Sequence, residues 1–269
     1  MLEAISGVVT IGLLALSAVV GVRLVRLGRR DEDGRALLYL GLYFLLHASL
    51  ATGFSLATYL GWSDVDLALP DLAARVLNAG FFVFSTLGLA FLLLFTQLTF
   101  RASSPVARSI VAGLTMLMSV SVVALGASEG FGVRVLNGPA YWVHFAARVA
   151  CWAWVAFESL RYWGRQRRRL ALGLADPVVS NRFLLWGLWG ALIAVLSFSD
   201  PVARLWYFSL AGTTTQWLPE VGRPIIAATV PIACALNAAA IALMVLTFFP
   251  VPAYRRWIAE RHAARAGTA

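Results

Sequence analysis

Residues 139–169, PAYWVHFAARVACWAWVAFESLRYWGRQRRR, constrain the fold more than any other stretch. The first twenty-odd of them are apolar and aromatic enough to cross a bilayer, yet His144, Arg148 and Glu158 fall inside the run and five arginines crowd its far end. On a helix, His144, Arg148, Cys151, Val155 and Glu158 follow one another at i, i+4, i+7, i+11 and i+14 and form one narrow stripe. A guanidinium turned into hydrocarbon costs at least about 2.5–3.5 kcal/mol on insertion scales, so the stripe must face protein or water. The stripe therefore calls for a bundle with a polar interior.

Composition agrees. Of the 269 residues 60% are hydrophobic and only 13% charged, against about 45–50% and about 25% in soluble domains. The net charge of +9 does not point to nucleic acid. Every basic residue is an arginine, no lysine occurs, and the arginines sit where membrane topology would put them. Cys151 and Cys234 both lie within apolar runs, which suits small packing side chains better than a disulfide.

Seven spans are expected, at about 5–27, 36–60, 71–99, 108–126, 139–160, 183–199 and 224–248. The N-terminal MLEAISG has an acid and no basic flank, unlike a cleaved signal. Tyr43, His47 and Ser55 are expected on one side of span two, and Arg75, Asn78 and Ser85 near one face of span three. Span four carries only hydroxyl groups and reads as a packing helix. In span six, Trp186 and Trp189 are expected to share a face with Ser197 and Asp200. Span seven holds Pro231, Cys234 and Asn237 among alanines, a composition for close helix approach.

The connections GWSDVDLALPD and SEGFGVRVLNG are expected outside, with the aromatic segment 200–223 lying along the headgroups. The segment 161–182 is expected to be the longest inner connection, its arginines resting on anionic lipid. Of the 22 arginines 17 fall in the proposed inner segments, so the N-terminus is expected outside and the C-terminus in the cytoplasm. Residues 1–250 then form the membrane domain and 251–269 a short basic tail.

Several chemistries are set aside. Retinal needs a lysine for its Schiff base. Haem could use His47 and His144, but the first is expected mid-span and the second near the outer face, so both read first as hydrogen-bonded core residues. HExxH, GxSxG, carboxylate pairs and phosphate-binding glycine motifs are absent, and neither an enzyme nor a cofactor is expected. What remains is an outer-half constellation: Arg75 and Asn78, His144 and Arg148, Asp200, with His47 and Asn237 nearer the middle. It reads either as a pocket for an anionic group or as an Arg148–Asp200 ion pair that fixes helix register.

The segment Gly138, Pro139, Tyr141, Trp142 and His144, followed by a long helix and the arginine-rich RYWGRQRRRLALG, resembles the seven-helix amino-terminal sensor region of certain bacterial histidine kinases. The resemblance implies a sensor that binds a small amphipathic or anionic ligand, such as a lipid or fatty acid. Binding would shift spans five to seven, and the signal would pass to a partner protein such as a kinase. Unlike the kinases, PVPAYRRWIAERHAARAGTA after span seven holds no phosphoacceptor domain, and His262 in it is not expected to be phosphorylated. An accessory subunit of a larger membrane complex is the opposing expectation, with a redox or transport protein third.

Overall fold

The computed structural model describes residues 2–31, 34–63, 71–131, 138–211 and 219–266, and the secondary structure of the described residues is helical. Helix α1 (Leu2–Arg30) is followed by α2 (Arg35–Tyr43), a π-helical segment (Phe44–Ala51) and α3 (Thr52–Ser63). Next come α4 (Asp71–Arg101), α5 (Pro105–Glu129), α6 (Pro139–Ala171), α7 (Pro177–Leu196), α8 (Ser199–Ala211), α9 (Pro219–Phe248) and α10 (Pro252–Ala266). Among the described residues six helical stretches are long and apolar enough to cross a membrane: 7–30, 35–58, 72–101, 105–128, 177–196 and 231–248. The chain is therefore a multi-pass membrane protein. Large apolar side chains left exposed, including Val8, Ile11, Val19, Met116, Val120 and Val123, suit a lipid solvent. At 33 residues α6 is longer than any of the six, but its polar stripe keeps it out of their number.

Local chemistry sets the boundaries. Ser104 caps α5 by accepting from the Ala107 N–H at 3.3 Å, Pro105 takes the first helical position, and Gly130 ends the helix in the left-handed region at φ 58°. Asp176 does the same for α7, accepting from Val178 and Val179 at 2.7 and 3.3 Å ahead of Pro177.

Three sequence expectations need correction. The arginine-rich stretch after Glu158 is not a connection: α6 runs through it to Ala171. It stops there because Gly173, at φ 69°, allows Leu174 N–H to reach back to the Arg169 carbonyl at 2.9 Å. Ser55 does not share a side with Tyr43, being exposed while Tyr43 is buried. The π segment between them advances the chain by more residues per turn and shifts the register of α3 against that of α2. The continuous helix expected to carry Trp186 and Asp200 together is interrupted, because α7 ends at Leu196 and Asp200 belongs to the first turn of α8.

The loop expectations at 64–70, 132–137 and 212–218, which include Trp217, lie outside the described residues, as do the side chains of Asp71, Asp200, Arg204, Phe208, Arg223 and His262.

The chain divides into two compact units. The first comprises Gly7–Cys151 with Ala211–Pro219, the second Trp152–Leu210 and Glu220–Ala269 with Met1–Ser6. The division falls inside α6.

In the first unit α4 packs against α2, the π segment, α3 and α5. Half of its apolar window is buried (50%), against 17–33% for the other five. Glycines allow the closest approaches. A β-carbon on Gly41 would stand 2.7 Å from the Val25 backbone nitrogen of α1, and one on Gly88 of α4 would stand 2.6 Å from the His47 nitrogen.

In the second unit α7 packs on α6 through Gly187 against Leu160 and Gly190 against Ala156. Trp152, Trp186, Trp189 and Phe248 join in edge and stacked ring contacts of 4.5–5.8 Å. The basic tail is helical as α10, and its Tyr254 hydroxyl accepts a hydrogen bond from the Asn181 amide of α7.

Candidate functional site

Most of the stripe on α6 is buried: His144, Cys151, Val155 and Glu158 are each 4% exposed or less, and Arg148 is half-buried. Its first half, in the first unit, faces α4 and α5. His144 meets the Phe82 ring edge-on at 5.2 Å, and Arg148, one turn further, stands over Phe81 at 5.8 Å. Phe82 also packs with Leu125 and Tyr141, so the aromatic pair of the GPAYW segment belongs to the wall that holds His144. Cys151 lies with its sulfur 3.9 Å from that of Met118, and both cysteines are free.

The His144 ring is fixed by a hydroxyl that span-by-span reading passed over. Ser121 of α5 donates its single proton to the Met118 carbonyl at 2.7 Å, and its oxygen lies 3.2 Å from His144 Nδ1. With that proton on the Met118 carbonyl, the second bond runs from Nδ1–H to the Ser121 oxygen. In that tautomer the neutral imidazole presents a lone pair at Nε2. That atom is buried and has no hydrogen-bond partner among the described residues. An unsatisfied buried acceptor of this kind costs about 1–3 kcal/mol unless something else meets it.

His47 repeats half of the arrangement. Its Nδ1 lies 3.1 Å from the Ser85 hydroxyl of α4, and its ring stacks on Tyr43 at 5.6 Å. It sits in the π segment, where Ser49 and Thr52 return their hydroxyl protons to the carbonyls five residues back, Phe44 and His47, at 2.9 and 3.2 Å. Nothing in the composition of FLLHASLA marks a π-helix. Phe82 and Ser85 are three residues apart on α4, so the two imidazoles address that helix within about 4.5 Å of each other along its axis. The expected mismatch in depth is thus about one turn.

The remaining candidates separate from this centre. Asn78 donates to the Phe131 carbonyl at 3.1 Å, and the Arg75 guanidinium lies where a β-carbon on Gly130 would be, 2.8 Å from it. Both side chains therefore hold the turn at the carboxyl end of α5, where a cation is favoured by the helix dipole. Asn237 is half-buried on α9 in the second unit, and the Asp200 side chain is outside the described residues. Among the described residues no three His, Cys, Asp or Glu side chains converge as metal ligands.

Comparison with protein-family models, curated proteins and solved structures finds no match to this chain.

Proposed function

We propose that the chain is a seven-span sensor of a bacterial inner membrane, N-terminus outside and C-terminus in the cytoplasm, with α6 as the seventh membrane helix. It takes a small amphipathic weak acid, such as a fatty acid, at the His144–Arg148 centre and signals through a partner protein. The single observation that carries this reading is the His144 Nε2 atom, buried and without a hydrogen-bond partner among the described residues, one helical turn from a guanidinium. A carboxylic acid suits that pair: its hydroxyl donates to Nε2 while its carbonyl oxygen accepts from Arg148. The resemblance of the GPAYWVH segment to kinase sensor regions supports the sensing role. So does the continuity of α6 from His144 to Ala171, about 40 Å at about 1.5 Å per residue.

Native mass spectrometry of gently purified protein tests the reading. The wild type should retain an acidic amphiphile, His144→Leu and Arg148→Met should lose it, and both variants should still melt cooperatively in detergent. Equal retention by all three proteins would refute the assignment.

A second reading, a bis-histidine haem, is favoured by one observation: both imidazoles are tethered through Nδ1 to serine hydroxyls, the way outer-shell partners orient axial ligands. It predicts a Soret band that disappears in His47→Ala. A colourless protein leaves the sensor reading in place.

A further inference from the structure

The end of the second unit where α6 finishes, α7 begins and α10 lies holds a groove of about 380 Å³, lined by Trp163, Arg167, Ser180, Asn181, Trp257 and Arg261 among others. We infer that this groove is a binding site for the phosphate of an anionic lipid headgroup, separate from the His144 centre.

Its polar complement is one-sided. The Arg167 guanidinium lies over the Trp163 ring at 5.2 Å and Arg261 over Trp257 at 5.1 Å, and neither arginine has an ion pair among the described residues. Among the described residues no carboxylate lines the groove. Stacking fixes a guanidinium plane while leaving its N–H groups for oxygen acceptors, the arrangement that suits phosphate.

The hydroxyl of Ser180 points the same way. Ser180 is 2% exposed and is among the residues that line the groove, yet its buried oxygen has no hydrogen-bond partner among the described residues. Elsewhere in these helices Thr96, Ser159, Ser197, Thr229 and Thr247 return their protons to the carbonyl four residues back, at 2.6–2.8 Å. Ser17, Thr86 and Thr115 also lack partners, but none of them lines this groove. Ser180 stands in the opening turns of the 20-residue α7, whose first N–H groups are held by the Asp176 carboxylate, so its hydroxyl is the polar group this helix offers the groove beside Asn181.

The source of the phosphate is indicated by what surrounds it. The apolar span 177–196 starts at the groove, the span 231–248 ends four residues before α10, and Leu184 and Ile258 line the groove beside the half-exposed Trp257. That is the level at which tryptophans meet headgroups and where acyl chains begin. A lipid fills both halves of such a site, whereas inorganic phosphate fills only one.

The test uses the full chain in nanodiscs of phosphatidylglycerol and phosphatidylcholine, followed by detergent extraction and native mass spectrometry. The wild type should retain phosphatidylglycerol over phosphatidylcholine by at least tenfold. Arg167→Gln with Arg261→Gln should abolish that preference, and Ser180→Ala should reduce it severalfold while leaving the melting temperature unchanged. The paired control is Arg26→Gln with Arg30→Gln, the same charge change in the arginine-lined groove of α1, which should keep the preference. The inference fails if the control loses as much as the groove variant, if Ser180→Ala and the double variant both behave as wild type, or if millimolar inorganic phosphate raises the melting temperature while phosphatidylglycerol does not.

Discussion

Arg148 and Arg167 lie on the same helix and carry the same charge, but their surroundings are opposites. Arg148 is half-buried over a phenylalanine face, one turn from an imidazole whose ring is tethered to a serine hydroxyl. Arg167 is exposed, leans on an indole and is joined by a second stacked arginine. In the first place a charge is tolerated only because helices were brought together to surround it. In the second it needs nothing beyond its own tryptophan. A buried centre is built by packing, and a rim is built by composition.

That contrast can be broken most forcefully at Gly88. Alanine there would place a β-carbon 2.6 Å from the His47 backbone nitrogen, and the π segment would have to move. We expect a loss of about 2–3 kcal/mol in detergent melts, and an unchanged melt would show that the centre is not tightly packed.

Ser121→Ala comes next, because it leaves the His144 Nδ1–H buried without an acceptor. It should cost about 1–3 kcal/mol, whereas Ser121→Thr should cost less.

The rim should respond in the opposite direction. Nothing lies within 4 Å of the place a β-carbon would take on Gly164, so Gly164→Ala should stabilise α6 by about 0.5–1 kcal/mol.

The smallest effect concerns pH. Burial lifts the Tyr254 hydroxyl above its ordinary value of 10.0, so the folded state holds this proton more tightly than the unfolded chain does. Docking of α10 should be at full strength below pH 10 and weaken as the pH rises through the raised value. Amide exchange across 252–266 should accelerate there, and Tyr254→Phe should remove that step.

The parts legible in the sequence were those governed by local chemistry. Ser104, Pro105 and Gly130 mark α5 without any tertiary information, and the i, i+4, i+7 spacing of His144, Arg148 and Cys151 announces a buried face. Where the reading failed, it failed on register. The arginines after Glu158 looked like a loop because they are charged, although arginine is a good helix former and the stop signal, Gly173, comes later. Asp200 was carried along the Trp186 face through a helix end, though Pro201 beside it already marks a new helix start. Ser121 could be seen as a hydroxyl in an apolar helix, but its bond to His144 depends on how α5 and α6 align, which no single segment records. Arg261 and Trp257 were assigned to a tail, because the docking of α10 through Tyr254 depends on a residue 73 positions away.

The π segment makes the helical rod from Arg35 to Ser63 behave like a shaft cut and rejoined with a twist. Residues before Phe44 and residues after Ala51 keep separate phases, so no one helical wheel describes both. The half facing α1 through Gly41 and the half beyond His47 can each hold its own set of neighbours. A one-residue insertion or deletion within 44–51 would be taken up as a change of pitch there, whereas the same edit in α4 would turn Ser85 away from His47.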